Sequence, residues 1–181
     1  MVIARAGAQA TFPARFTLVI ATDLCPCAKT PGEHGACACS PAARRRYLTR
    51  VSGPLLDRID VKARLQPASR QVMMRDRATA DPSATVADRV GAARQRSAAR
   101  LAGTPWRLNA EVPGTALRRA FPPHREALRL LDRAMELGQV SARAADKIVR
   151  VAWTLTDLAG TDRPGPDDIS QALGLWHGNT P

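Results

Sequence analysis

Residues 16–22 read F-T-L-V-I-A-T, a nearly continuous apolar run. Such a run predicts a strand buried on both faces, as in a parallel sheet covered by helices. A strand of that kind needs neighbours on both edges, and the rest of the chain supplies too few. Val2–Arg5 and Ala10–Phe12 read as two arms of a hairpin around Ala6-Gly7-Ala8-Gln9, with Pro13 ending the second arm. Asp60–Leu65 alternates, with Val61, Ala63 and Leu65 on one face, and predicts a half-buried edge strand. The expectation is therefore a piece of a larger α/β fold.

Beyond residue 40 the signals turn helical. Ser40-Pro41 predicts a capped helix start, running to about Arg50 with Tyr47 and Leu48 inward. Ser52-Gly53-Pro54 opens a shorter turn. Residues 66–82 are polar and aperiodic apart from Val72-Met73-Met74, which predicts a linker containing one helical turn. From Ser83 the apolar spacing is helical: Val86, Val90, Ala93, Ser97 and Leu101, then Leu128, Leu131 and Met135, then Ile148, Val151, Ala152, Leu155 and Leu158. Asp167–Leu175 is the last expected helix, and the tail Gly178–Pro181 reads as disordered. The division predicted is 1–66, linker 67–82, and a helical domain 83–177.

The formal net charge is +11, and only three of 27 basic residues are lysine. Arginine favours bidentate contacts to phosphate, so a polyanionic partner such as DNA is expected, with Arg5 and Arg15 near the hairpin as candidates. The competing explanation is composition: an Arg- and Ala-rich chain is what a GC-rich genome encodes, and the arginines are spread. No apolar run is long enough to span a membrane. The first ten residues lack the apolar core of a signal peptide. Cytoplasmic residence is the expectation.

Four cysteines, Cys25, Cys27, Cys37 and Cys39, fall within fifteen positions as two C-x-C pairs. Pro31, Gly32 and Gly35 let the intervening loop fold back. Four thiolates brought together complete a tetrahedral zinc site, with His34 as a spare ligand. Unligated reduced thiols are the alternative, and a disulfide is the least favoured in a reducing compartment.

The runs F-P-A-R-F-T-L-V-I-A-T-D-L-C-P-C, C-A-C-S-P, R-R-Y-L and S-G-P-L-L-D-R-I-D, followed by W-R-L-N-A, L-L-D-R-A and R-V-A-W-T-L-T-D-L-A-G, resemble the magnesium-chelatase-like AAA+ ATPases of the ComM/YifB family. The resemblance spans roughly residues 2–175. It implies the last strands and sensor/finger region of an AAA+ α/β core followed by an all-α helical lid. The hairpin would then be a pre-sensor hairpin facing a DNA channel. Arg58 would be an arginine finger acting in trans on a neighbouring subunit, and Arg143 the sensor-two arginine. Asp23 falls at the sensor-one position, where the family has asparagine; an ionised aspartate only accepts hydrogen bonds.

The same resemblance implies ATP and Mg²⁺ as cofactors, a homo-hexamer, and DNA branch migration during natural transformation. Yet no G-x-x-x-x-G-K-[ST] occurs, nor an acidic pair closing an apolar strand to serve as a Walker B. The expectation is a C-terminal portion, inactive alone, that needs a P-loop half. A DNA- or partner-binding remnant without enzymatic activity is the alternative, and metal-chelatase chemistry ranks below both.

Overall fold

The structure is a computed structural model and describes residues 2–13, 16–23, 25–29, 37–65 and 69–178. Two compact units divide the chain, Met1–Ile59 and Asp60–Pro181. Arg15, His34 and the tail 179–181 lie outside the described residues.

In the first unit β1 (Val2–Arg5) pairs antiparallel with β2 (Ala8–Thr11), with Arg5 opposite Ala8. The two turn residues both have positive φ, Ala6 at 44° and Gly7 at 84°. That is the primed two-residue turn whose twist matches a hairpin. Both strands are exposed throughout.

The expected strand at 16–22 is not formed. Residues 16–23 belong to no ladder, and Phe16 and Val19 are 73% and 85% exposed. The reason is the one that makes such a run demanding: backbone groups and two apolar faces require neighbours, and the described residues offer none.

Helix α1 (Pro41–Leu48) starts as its sequence dictates. Ser40 Oγ accepts from Ala43 N at 3.2 Å, with proline in the first turn. Tyr47 is half-buried, but Leu48 points outward, against expectation. Helix α2 (Gly53–Leu56) is a single turn, and Asp57 N and Arg58 N close it on Gly53 O and Leu55 O.

The second unit is helical among its described residues: α3 (Arg70–Thr79), α4 (Ser83–Leu101), a 3₁₀ turn (Asn109–Glu111), α5 (Gly114–Arg119), α6 (Arg125–Glu136), α7 (Ala142–Ala159) and α8 (Pro166–His177). Two expectations are corrected. The supposed linker carries a ten-residue helix, α3, capped by Ser69 Oγ on Val72 N. Asp60–Leu65 is not a strand; its backbone turns to α8 instead, where Lys62 N donates to Leu175 O at 2.8 Å.

The core lies where α7 meets α4, α6 and α8, around Ile148, Ala152, Trp153, Leu131 and Ile169. Burying an isoleucine here contributes about 1.5–3 kcal/mol. Helix α4 joins the core only through its second half: Ala93 and Leu101 are buried, whereas Val86 and Val90 are exposed. Met135 and Leu158 likewise face outward. Trp106, Phe121 and Trp153 stack edge to face at 6.5 and 6.4 Å, and Trp153 Nε1 donates to Phe121 O at 3.0 Å.

One buried polar node ties α4, the 3₁₀ turn and α7 together. Asp157, 3% exposed, accepts from Arg100 through both carboxylate oxygens and from Asn109 Nδ2 at 3.0 Å. Arg100 also lies 4.0 Å over the Trp153 ring. Arg96 Nη1 donates to Asp157 O at 2.7 Å near the C-terminus of α7, where the helix dipole favours a cation.

Candidate functional site

The cysteine cluster is assembled by a turn and a helix start. Cys25-Pro26-Cys27-Ala28 is a turn with proline in its second place, closed by Ala28 N donating to Cys25 O at 2.9 Å. Ala28 sits at φ 56°, in the left-handed region. Cys37 and Cys39 approach from the chain that leads into the Ser40 cap of α1.

The four sulfurs all lie within 4.8 Å of one another, and all four cysteines are free. Cys25 Sγ is 2.9 Å from Cys37 Sγ and 3.6 Å from Cys27 Sγ. Cys25 is buried and the other three are half-buried. Thiolates around a tetrahedral Zn²⁺ at about 2.3 Å are spaced roughly 3.8 Å apart, so this donor set fits such an ion in number, chemistry and spread. The thiol of Cys39, hydrogen-bonded first to Cys25 and then to Cys37 and partly desolvated, is pushed up from 9.0 to about 12. Without a cation the Cys39 thiol keeps its proton here; a bound metal deprotonates its thiol ligands.

Arg58 lies two residues past the end of α2 and is exposed. Of its two flanking acids, Asp60 is engaged by another cation: Lys147 Nζ of α7 lies 2.7 Å from Asp60 Oδ1. Asp23 is exposed at the end of the extended run, next to Thr22, whose hydroxyl is 3.3 Å from the Tyr47 hydroxyl. Arg5 is exposed on β1. Arg143 is exposed in the first turn of α7, two residues after the Ser141 cap, whose Oγ accepts from Ala144 N at 3.2 Å. Arg5, Asp23, the cysteines and Arg58 belong to the first unit and Arg143 to the second.

Sequence reasoning missed Lys147, Lys62 and Trp176. Lys62 Nζ donates to Trp176 O at 2.9 Å and lies 4.0 Å over the indole ring. Lys147 approaches the same ring at 5.8 Å. No local pattern announces these partners, because Lys62 and Lys147 lie 114 and 29 residues before Trp176.

Comparison with known proteins covers both units. A family model described as magnesium chelatase, subunit ChlI, matches residues 1–73, and one described as its C-terminal region matches residues 80–175. An uncharacterised protein of Mycobacterium tuberculosis is 41% identical over 173 residues, 96% of this chain and 34% of that protein. The uncharacterised protein YifB of Escherichia coli K12 is 34% identical over 161 residues, 88% of this chain and 30% of its own length. Competence protein ComM of Haemophilus influenzae is 30% identical over 174 residues, 96% and 33% respectively. The chain spans about a third of the length of these relatives.

Proposed function

Because the chain belongs to the magnesium chelatase subunit ChlI family, we propose that it is the finger-and-lid portion of an AAA+ ATPase of the ComM and YifB kind. Arg58 is its arginine finger, reaching in trans to stabilise charge on the transferring phosphoryl group of a neighbouring subunit. Arg143 is the lid arginine, at a helix start that favours anions. Asp23 takes the sensor-one place. The observation that carries this reading is the exposure of Arg58 beside an acid, Asp60, already occupied by Lys147.

The residues present do not hold ATP and Mg²⁺ by themselves. The 181 residues contain no P-loop and no Walker B acid pair. Turnover therefore requires a P-loop supplied by another segment or subunit, in a ring of six. The test mixes the purified chain with the P-loop-bearing segment of one of the relatives. ATP turnover is expected only in the mixture, and Arg58→Ala lowers it by about 10³-fold or more. Turnover by the pure chain alone sinks the reading.

The substrate proposed is DNA, processed by branch migration, and the relative named a competence protein suggests uptake of transforming DNA as the setting. A net charge of +11 and the exposed Arg5 also suit a second reading, DNA binding without turnover. That reading requires affinity that falls steeply with salt and ignores ATP.

The cysteine cluster is proposed as a structural zinc site that ties the Cys25–Ala28 turn to the start of α1. Metal analysis of purified protein should find about one zinc per chain, lost in Cys37→Ser. Protein purified without metal, with all four thiols titrating freely, removes the site.

A further inference from the structure

The chain leaving Arg58 is held down at once. Asp60 is paired with Lys147 at 2.7 Å, and the Lys147 side chain is 18% exposed, so this pair is partly shielded from water. Two residues on, Lys62 is fixed three ways: its amide to Leu175 O, its ammonium to Trp176 O, and the same ammonium over the Trp176 ring. Lys147 also leans on that ring. Trp176 is thus the common platform for both lysines. The cavity beside them, about 280 Å³, is lined by Asp60, Asn109, Lys147, Arg150 and Thr154.

The position of Lys147 on α7 gives this arrangement its meaning. Lys147 follows Arg143 by four residues, so the two side chains share one face of the helix, about 6 Å apart along its axis. Arg58 precedes Asp60 by two residues, so chain length alone keeps their Cα atoms within about 7 Å. The root of one arginine and the base of the other are therefore both tied to the first two turns of α7.

We propose that Asp60, Lys62, Lys147 and Trp176 form a clasp whose role is positioning: it fixes the root of the Arg58 finger to the helix that carries Arg143. This rests on the reading of those two arginines given above. A shift of α7 then moves the finger root with it, and a loose clasp leaves Arg58 on a free segment. None of the four residues touches a reacting group. They are positioning residues.

The physical claim is tested on the chain as it stands. Amide hydrogen exchange is followed for residues 60–65 in the parent, Asp60→Lys, Lys147→Asp and the double exchange, with the amides of α7 as a control for folding. Each single variant is expected to speed exchange at 60–65 by tenfold or more while the α7 core stays protected, and the double exchange to restore protection. Unchanged exchange at 60–65 in both single variants overturns the clasp. If a single variant unfolds α7, Lys62→Met replaces it, with the same expectation for the amide bonded to Leu175 O.

The functional claim uses the mixture with the P-loop segment. Lys147→Asp is expected to lower kcat about tenfold at unchanged KM for ATP, and the double exchange to recover it. If Arg58→Ala abolishes turnover but Lys147→Asp leaves it intact, the clasp has no positioning role and the finger stands. If Arg58→Ala has no effect, the finger reading fails, and the positioning role fails with it.

Discussion

The carboxylate of Asp146 fills the space that a side chain at position 114 would need. A Cβ built on Gly114 overlaps that group, which is held by Arg118 of the same short helix α5. Glycine here accommodates a close approach between α5 and the Asp146 side chain of α7, and no positive φ calls for it. Gly114→Ala must push Asp146 off Arg118, and because that pair is largely exposed the change should cost no more than about 1 kcal/mol. In an Asp146→Ala background the same change should be close to neutral. The double-mutant cycle by denaturant melts reads the coupling, and additive effects would refute the clash.

The Asp157 node sets a larger effect. Its carboxylate is buried and accepts from Arg100 and Asn109. Asp157→Ala leaves the Arg100 guanidinium, itself mostly buried, without its anion. The expected loss is about 3–5 kcal/mol. Replacing Asp157 and Arg100 together by apolar residues of similar volume should recover much of it. Thermal melting of the two variants checks this, and a loss below about 1 kcal/mol would mean the node is solvated.

Ala28 adopts a backbone that favours glycine, with φ at 56°. A non-glycine residue there costs on the order of 1 kcal/mol. Ala28→Gly should therefore tighten the cysteine turn, seen as slower release of bound zinc to a chelator. Faster release would show that the added freedom of the unfolded chain outweighs the relieved strain.

Metal removal and pH act together at Cys39. In the metal-free protein its thiol is raised from 9.0 to about 12 by Cys25, then Cys37, then partial burial. The folded state then binds the proton more tightly than the unfolded one. The metal-free loop keeps this stabilisation below pH 9 and loses it as pH rises toward about 12. Alkylation of Cys39 in chelator-treated protein should titrate well above the ordinary thiol midpoint. In zinc-loaded protein Cys39 should be protected from alkylation, and loading should weaken as pH falls, since protons compete for the thiolates. An ordinary midpoint without metal would refute the crowding.

What was legible in the sequence was local chemistry. Ser40-Pro41 caps its helix as its position predicts, and Gly7 turns the hairpin. The cysteine spacing foretold a four-sulfur cluster. What was not legible depended on distant partners. The run at 16–22 has strand chemistry but no ladder among the described residues. Residues 60–65 alternate like a strand, yet Lys62 bonds to α8 and Asp60 pairs with α7. Helix α3 was hidden because its residues are exposed where described, so no buried face imposes a period. The Asp157 node and the Lys147 pair join residues from opposite parts of the chain, and no window contains both partners.

The aromatic residues divide the molecule optically. All three tryptophans, Trp106, Trp153 and Trp176, lie in the second unit, and the single tyrosine, Tyr47, lies in the first. Trp153 is sealed among its aromatic neighbours, whereas Trp176 sits under two lysines. Indole emission thus reports only on the helical unit, and a melt followed that way is blind to the hairpin and the cysteine turn. Comparing it with a thiol or tyrosine signal would show whether the two units unfold in one step or two.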